Sequence, residues 1–342
     1  MSPSREWRIS RRDFLGGIVA GGAGLVLGCG ADPLRQAVPG PASRRLWAFA
    51  DSHIGLGGRG NDGRDGAEWL QLCLQDLRDG VAPVDYALAL GDVTDDRGRE
   101  DQLQRYVGIR DESGLPGWFE LAGNHDYGAI PAGRWRRLVK RPVRYALIDG
   151  TCACFFISAE QGRSDGRVSR QTAAWLTEEI SRHQDSRNII VCSHQPVYGT
   201  VSGSGSSESC LNHRKLVARI LEAVRVDLWL CGHIHGGRRN AGYVKRRAET
   251  THINVASAGR AYGTGACVGY VFEMQEGSNA MLARCRDHER HAYLDDQSLQ
   301  IEFPHAWRFF AGPVLLPARM RRSLWSLGPA GEPVGLAGGT HS

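Results

Sequence analysis

From residue 46 onward the chain alternates two kinds of hydrophobic pattern. Short apolar runs at 46–50, 87–90, 118–122, 189–193 and 227–231 have the length of buried strands and stop at glycine or polar residues. Between them lie segments whose apolar residues recur at helical spacing: Trp69, Cys73 and Leu77; Leu103 and Val107; Trp175, Leu176 and Ile180; Leu216, Ile220 and Val224. Strands interleaved with helices predict an α/β fold. After His235 the pattern changes to strand-like runs at 253–256, 269–274, 281–284 and 299–303, separated by Gly and Asp. Strands without intervening helices predict a second, largely antiparallel half.

The first five runs end alike. They lead into Asp51-Ser52-His53, Gly91-Asp92, Gly123-Asn124-His125-Asp126, His194, and Gly232-His233-Ile234-His235. Strand ends are where open α/β sheets place their ligands. A single Gly-Asp is usually only a turn, but five successive strand ends bearing nitrogen and oxygen donors form a constellation. Asp51, His53, Asp92, Asn124, His194, His233 and His235 are seven donors, more than one tetrahedral ion needs. They suffice for two ions if one carboxylate is shared, and Asp92 is the natural bridge. Imidazole, carboxylate and amide oxygen suit Fe, Mn or Zn. Two such ions about 3.5–4 Å apart clamp the attacking and departing oxygens of a phosphoryl transfer and generate hydroxide from a bridging water near neutral pH. His183, His213 and His252 lie outside these strand ends and are read as ordinary histidines.

Taken together, the blocks resemble the calcineurin-like metallophosphoesterase superfamily, whose pattern is D-x-H, G-D-x-x-D, G-N-H-D/E, a later H, and G-H-x-H. Here they stand in that order as Asp51-Ser52-His53, Gly91-Asp92-Val93-Thr94-Asp95, Gly123-Asn124-His125-Asp126, Ser193-His194-Gln195-Pro196 and Gly232-His233-Ile234-His235. The resemblance implies a four-layer αββα sandwich, two mixed β-sheets flanked by helices. It implies one metal held by Asp51, His53, Asp92 and His235, and a second by Asp92, Asn124, His194 and His233. His125 would be the proton donor, steadied by Asp95. The implied reaction is hydrolysis of a small phosphate mono- or diester by a metal-bridging hydroxide, with His125 as general acid.

Two departures narrow the branch. Protein phosphatases continue the second block as G-D-x-x-D-R-G, whereas Asp96 here precedes Arg97-Gly98. Purple acid phosphatases carry tyrosine where this chain has Asp95. What remains looks like the broad bacterial group of cyclic-nucleotide phosphodiesterases and phosphomonoesterases. A nucleotidase, a phospholipid-directed phosphoesterase and a binding module without turnover are the alternatives. Arg238 and Arg239, just past His235, are candidates to reach the phosphate.

Composition adds a compartment. Arg11-Arg12 precedes a glycine-rich apolar run that ends at Val26-Leu27-Gly28-Cys29. Residues 1–28 read as a Tat-type signal peptide, with Cys29 as a lipidated mature N-terminus in a lipobox-like setting. The expected location is the periplasmic or extracytoplasmic face of a membrane, reached through the Tat translocase. Residues 29–45, rich in Pro, Ala and Gly, read as a tether, 46–303 as the phosphoesterase domain and 304–342 as a loosely ordered tail. At 342 residues and 42% hydrophobic content the chain can bury a sizeable core. The leader's Arg5, Arg8, Arg11 and Arg12 outnumber Glu6 and Asp13 by two, so the net charge of +5 falls to +3 in the mature chain. That charge supplies no argument for a nucleic-acid partner, and the basic run at Arg134, Arg136, Arg137, Lys140 and Arg141 reads as a solvated face. Cys192, Cys231, Cys152 and Cys154 lie in apolar strands and read as small core hydrophobes. The Gly/Ser stretch 199–209 follows His194 directly and is either a substrate lid or a plain insertion.

Overall fold

The computed structural model describes residues 42–318 except 58–61, 159, 161–164, 213, 236–243, 248 and 264–266. The twin-arginine leader, Cys29, Arg238 and Arg239 therefore lie outside the described residues.

Two mixed sheets form the centre. The first contains β1 (Ser43–Phe49), β2 (Tyr86–Leu90), β3 (Trp118–Leu121), β10 (Val268–Gln275), β11 (Ala280–Asp287) and β12 (Ala292–Glu302), in the order β12-β11-β10-β1-β2-β3. Strands β1, β2 and β3 are parallel, while β10, β11 and β12 form an antiparallel meander. The second sheet contains β4 (Arg144–Asp149), β5 (Cys152–Ile157), β6 (Asn188–Ser193), β7 (Leu228–Cys231), β8 (Val244–Arg247), β9 (Thr250–Asn254) and β13 (Val314–Pro317). Its order is β13-β4-β5-β6-β7-β9-β8, with β5, β6, β7 and β9 parallel.

Alternation along each strand assigns its residues to two different cores. From β1 and β2, Leu46, Ala48, Leu88 and Leu90 face the second sheet and meet Leu147, Phe156, Ile190 and Leu230. Their neighbours Trp47, Phe49, Ala87 and Ala89 face outward against α1 (Gly66–Gly80) and α2 (Glu100–Glu112), through Trp69, Leu70, Leu103 and Tyr106. On the far side Phe155, Val191 and Trp229 pack on α3 (Arg170–His183) and α4 (Arg214–Ala223) through Leu176, Ile180, Val217 and Ile220. The result is the four-layer αββα sandwich. Strands buried on both faces read as continuous apolar runs, which is why the sequence showed runs rather than alternation. Each fully buried Leu or Phe here contributes about 1.5–3 kcal/mol. Helix α1 starts at a capping box, in which Asp65 accepts from Ala67 N at 2.8 Å and Glu68 accepts from Asp65 N at 2.7 Å.

Three expectations are corrected. The late strands do not make a second half. Strand β10 pairs with the free edge of β1, with Val271 opposite Trp47, and completes the first sheet. Residues 250–254 instead join the second sheet beside β7. The reason is that β2 occupies only one edge of β1, and the other edge's backbone groups also require partners. The stretch from 304 is not a loose tail as far as it is described. Trp307 is wholly buried, donates to Ala280 O at 2.9 Å, and packs on Phe303 at 4.8 Å. Strand β13 then pairs with β4 as an edge strand, and its exposed Val314, Leu315 and Leu316 show no two-fold polarity. The tether also ends early, because β1 begins at Ser43. All eight described cysteines are buried and free of disulfides. Among the described residues no helix is long and apolar enough to cross a membrane.

Candidate metal centre

Every donor singled out in the sequence lies in a loop just past the C-terminal end of β1, β2, β3, β6 or β7. The loops are tied together by backbone hydrogen bonds: Asp51 N to Gly91 O, His53 N to Asp92 O (both 3.0 Å) and Gly232 N to His194 O (2.8 Å). Asp126, buried, accepts from Gly123 N at 2.9 Å, Thr94 N at 2.9 Å and Thr94 Oγ1 at 2.7 Å, joining the loops after β2 and β3. Glycine is required by space at two of the motif positions. A Cβ on Gly123 would sit 2.2 Å from Asp92 Oδ1, and one on Gly232 would sit 2.3 Å from Ala50 Cβ. Asp51, His53, Asp92 and His233 all adopt positive φ, between 45° and 68°, so backbone strain is concentrated at the donors.

Three groups of donors result among the described residues, one of them His53, Asp95 and His125 at the rim, and the other two are the candidate metal clusters. Asp51, His53 and His235 form one, and Asp92, His194 and His233 the other, each with ligand atoms within 4.8 Å of one another. Both carboxylates are divided in the same way. Asp51 Oδ2 accepts from His233 N at 2.9 Å and Asp92 Oδ1 from His125 N at 2.7 Å, leaving one oxygen of each for the cluster. Asp92 Oδ2 lies 3.0 Å from His194 Nε2 and 3.9 Å from His53 Nε2, so one oxygen faces both clusters. Asp51 Oδ1 is 3.2 Å from His235 Nε2, and His53 Nε2 and His235 Nε2 face each other at 3.1 Å. Donors sharing one tetrahedral ion with bonds of about 2.0–2.1 Å stand roughly 3.3 Å apart.

The histidines are set up to present lone pairs inward. Each turns its other ring nitrogen toward an oxygen: His53 Nδ1 toward Asp95 Oδ1 (3.2 Å), His194 Nδ1 toward Leu90 O (2.8 Å), His235 Nδ1 toward Ala261 O (3.4 Å), and His233 Nε2 toward Glu208 O (3.2 Å). Such outer oxygens fix the tautomer of metal-binding histidines. Asp51 Oδ1 and His194 Nε2 are buried without a well-aligned hydrogen bond and face only other donors of the clusters, an arrangement that an ion between them would satisfy. The residues fit a pair of transition-metal ions.

Charge agrees with geometry. Burial works against the Asp92 and Asp51 carboxylates, but His194 and His53 beside Asp92, and His235 and His194 beside Asp51, hold both below the usual carboxylate range. Burial would also lower His194, yet Asp92 and Asp51 push it up to about 9. His233, half-buried and next to His194, falls to about 4. Without an ion His194 therefore holds a proton at neutral pH, which an arriving cation must displace.

Asn124 is half-buried, and its Oδ1 accepts from Gln195 Nε2 at 3.2 Å. His125 stands at the rim with its side chain 30% exposed. Its Nδ1 is 2.6 Å from the backbone oxygen of Asp95 and 3.8 Å from that residue's carboxylate. Asp95 thus touches His125 through its main chain, and its carboxylate is engaged by His53 and by the hydroxyl of Tyr262 at 2.6 Å. The expected contact between the two residues is present, made more closely by the Asp95 main chain than by its carboxylate. Tyr262 was not anticipated; no motif contains it, and an aromatic just before Gly263 is its only local signal. The Gly/Ser stretch 199–209 borders the site, since Glu208 O meets His233 while Ser204 Oγ donates to Val201 O at 2.7 Å within the loop.

The calcineurin-like phosphoesterase family matches residues 44–237, the span that contains all of these donors and His125. Among solved structures, the purple acid phosphatase PPD1 of yellow lupin (Lupinus luteus) is similar with a TM-score of 0.56 and 14% identity, covering 77% of this chain and 54% of its own. This chain thus spans about half the length of the lupin protein. GAP50 of Plasmodium, the anchor in the inner membrane complex, is similar with a TM-score of 0.55 and 14% identity, covering 77% of this chain and 90% of its own. At these identities the likeness is one of fold. No curated protein matches the sequence.

Proposed function

The chain belongs to the calcineurin-like phosphoesterase family, and on that premise we propose that it hydrolyses small phosphate esters with two transition-metal ions. The observation that carries this reading is the position of Asp92 Oδ2, which faces His194 and His53 in the two separate clusters. Asp51, His53, Asp92 and His235 would hold one ion and Asp92, Asn124, His194 and His233 the other, of the Fe, Mn or Zn type. When bound, such a pair polarises a phosphoryl oxygen and acidifies a water.

The chain's own residues do the remainder. His125 sits beside the clusters, its ring edge-on to His53 with centroids 4.7 Å apart. Its Nδ1 is held by the Asp95 carbonyl, so Nε2 is the atom that delivers a proton to the departing oxygen. Burial of Asp51, His53 and Asp92 limits water at the reacting end, while the partial exposure of His125 leaves an entry for the ester.

The test is metal content together with turnover of aryl and alkyl mono- and diesters by the processed protein. Close to two ions per chain and hydrolysis that chelation abolishes are expected. Metal-replete protein that turns over none of the panel would replace this reading with that of a binding module.

We further propose export by the Tat translocase and lipidation at Cys29, which places the enzyme at the extracytoplasmic face of a membrane. Arg11-Arg12 and Val26-Leu27-Gly28-Cys29 support it. Cys29→Ser should release the protein from membranes; a processed wild type that is already wholly soluble would overturn the anchor.

A further inference from the structure

Tyr262 is held in a place that neither the family pattern nor the core explains. It lies in the turn Ala261–Gly263 at φ 55° and ψ 23°, a left-handed conformation that bulky side chains avoid. The residue is 48% exposed. An exposed aromatic is ordinarily free to turn, but this one is fixed at its tip and along its flank. The hydroxyl donates to Asp95 Oδ1 at 2.6 Å, a charge-assisted bond. The ring lies within 20° of parallel to His235, with centroids 5.7 Å apart, and stands edge-on to His53 at 5.3 Å. His125 is 6.0 Å away. The strained backbone thus presents a rigid aromatic surface to solvent beside the histidine that meets the leaving oxygen.

We propose that Tyr262 is a specificity-determining residue, the wall of a leaving-group subsite that receives a planar aromatic group by stacking. The proposal rests on the phosphoester reading above for the direction in which the leaving group departs. A preorganised ring loses little freedom when a second ring stacks on it. An alkyl group of equal size gains only contact with the edge and face, without the matched quadrupoles of two rings. The subsite therefore discriminates by planarity rather than by size, which the charged clusters beneath it cannot do.

The test compares the affinity of phenylphosphonate with that of cyclohexylphosphonate, which match in charge and nearly in size but differ in planarity. Binding is measured by calorimetry on the processed chain loaded with Mn²⁺, with metal content and melting temperature recorded for each variant. Wild type should favour the phenyl compound by roughly three- to tenfold. Tyr262→Asn removes the ring while tolerating a left-handed backbone, and should bring the ratio close to one. Tyr262→Trp keeps an aromatic face and should keep the ratio. The subsite is overturned if wild type shows no preference or binds neither compound, or if Tyr262→Asn retains the wild-type ratio. Should Tyr262→Asn fail to fold or lose metal, the wild-type ratio and Tyr262→Trp decide. Hydrolysis plays no part in the readout. A protein that binds with the expected preference but turns over no ester defeats the hydrolase reading alone, and an active one without the preference defeats the subsite alone.

Discussion

The carboxylate of Asp95 serves His53: its Oδ1 lies 3.2 Å from His53 Nδ1 and 3.8 Å from the corresponding nitrogen of His125. Burial works against the charge of Asp95, but His53 beside it and the hydrogen bond from the Tyr262 hydroxyl hold it below the usual carboxylate range. An anionic oxygen behind a metal-binding histidine fixes its tautomer and strengthens its inner nitrogen as a donor.

Removing that oxygen should weaken the metal before it slows proton transfer. Asp95→Ala is expected to lower affinity at the cluster of Asp51, His53 and His235 by about 10- to 100-fold. Titration of apo protein with Mn²⁺ against a competing chelator measures it. Unchanged affinity with selectively slower alkyl-ester turnover would instead assign the carboxylate to His125.

Asp92 faces both clusters, so Asp92→Asn should lower occupancy at both, because a neutral amide is a poor bridge between two cations. Metal analysis of the metal-replete variant checks this. Loss confined to one ion would mean that Asp92 belongs to a single site.

His125 donates through its backbone to Asp92 and stands at the rim, grouped with His53 and Asp95 but absent from the groups of Asp51, His53 and His235 and of Asp92, His194 and His233. His125→Ala should keep the metals while kcat falls about 10²- to 10⁴-fold. The loss should be greatest for alkyl esters, since an acidic phenol departs without a proton. Equal losses for aryl and alkyl esters would remove His125 from the role of general acid.

A second cluster of charge is structural. Asp76, buried on α1, accepts from Arg286 Nε at 2.8 Å and Nη2 at 2.6 Å, and faces His288 Nδ1 at 2.8 Å and His291 Nδ1 at 2.7 Å. Asp76→Ala leaves Arg286 buried without its partner and should cost about 3–5 kcal/mol. Burial raises Asp76, but Arg286, His288 and His291 lower it more, and its folded value lies below the unfolded one. A depressed carboxylate stabilises above its unfolded value, near pH 3.9, and that contribution is lost as pH falls further. Burial lowers His288 too, so its neutral form, which accepts from Trp47 Nε1 at 3.1 Å, adds a loss in the same direction from about pH 6.5 downward. Denaturant unfolding between about pH 4 and pH 2, below the range in which His288 titrates, should show a steeper acid loss in wild type than in Asp76→Ala.

The donors and the elements that carry them were legible in the sequence because both are local. A buried strand is a run of apolar residues, a helix repeats every three or four, and Asp51, His53, Asp92, Asn124, His194, His233 and His235 follow their strands directly. Spacing alone also placed α1 through Trp69, Cys73 and Leu77, which are buried as the stripe required. What completes the site is long-range or made of backbone, and leaves no local pattern. Tyr262 reaches Asp95 across 167 residues. Glu208 and Ala261 orient His233 and His235 with main-chain carbonyls, which any residue type could have supplied. The pairing of β10 with β1 and of β13 with β4 depended likewise on which sheet edges remained open, and an open edge is a property of the assembled sheet rather than of any segment. Sequence therefore determined which atoms can bind and where along the chain they lie, while tertiary packing decided which nitrogen of each histidine faces inward and which side chains surround them.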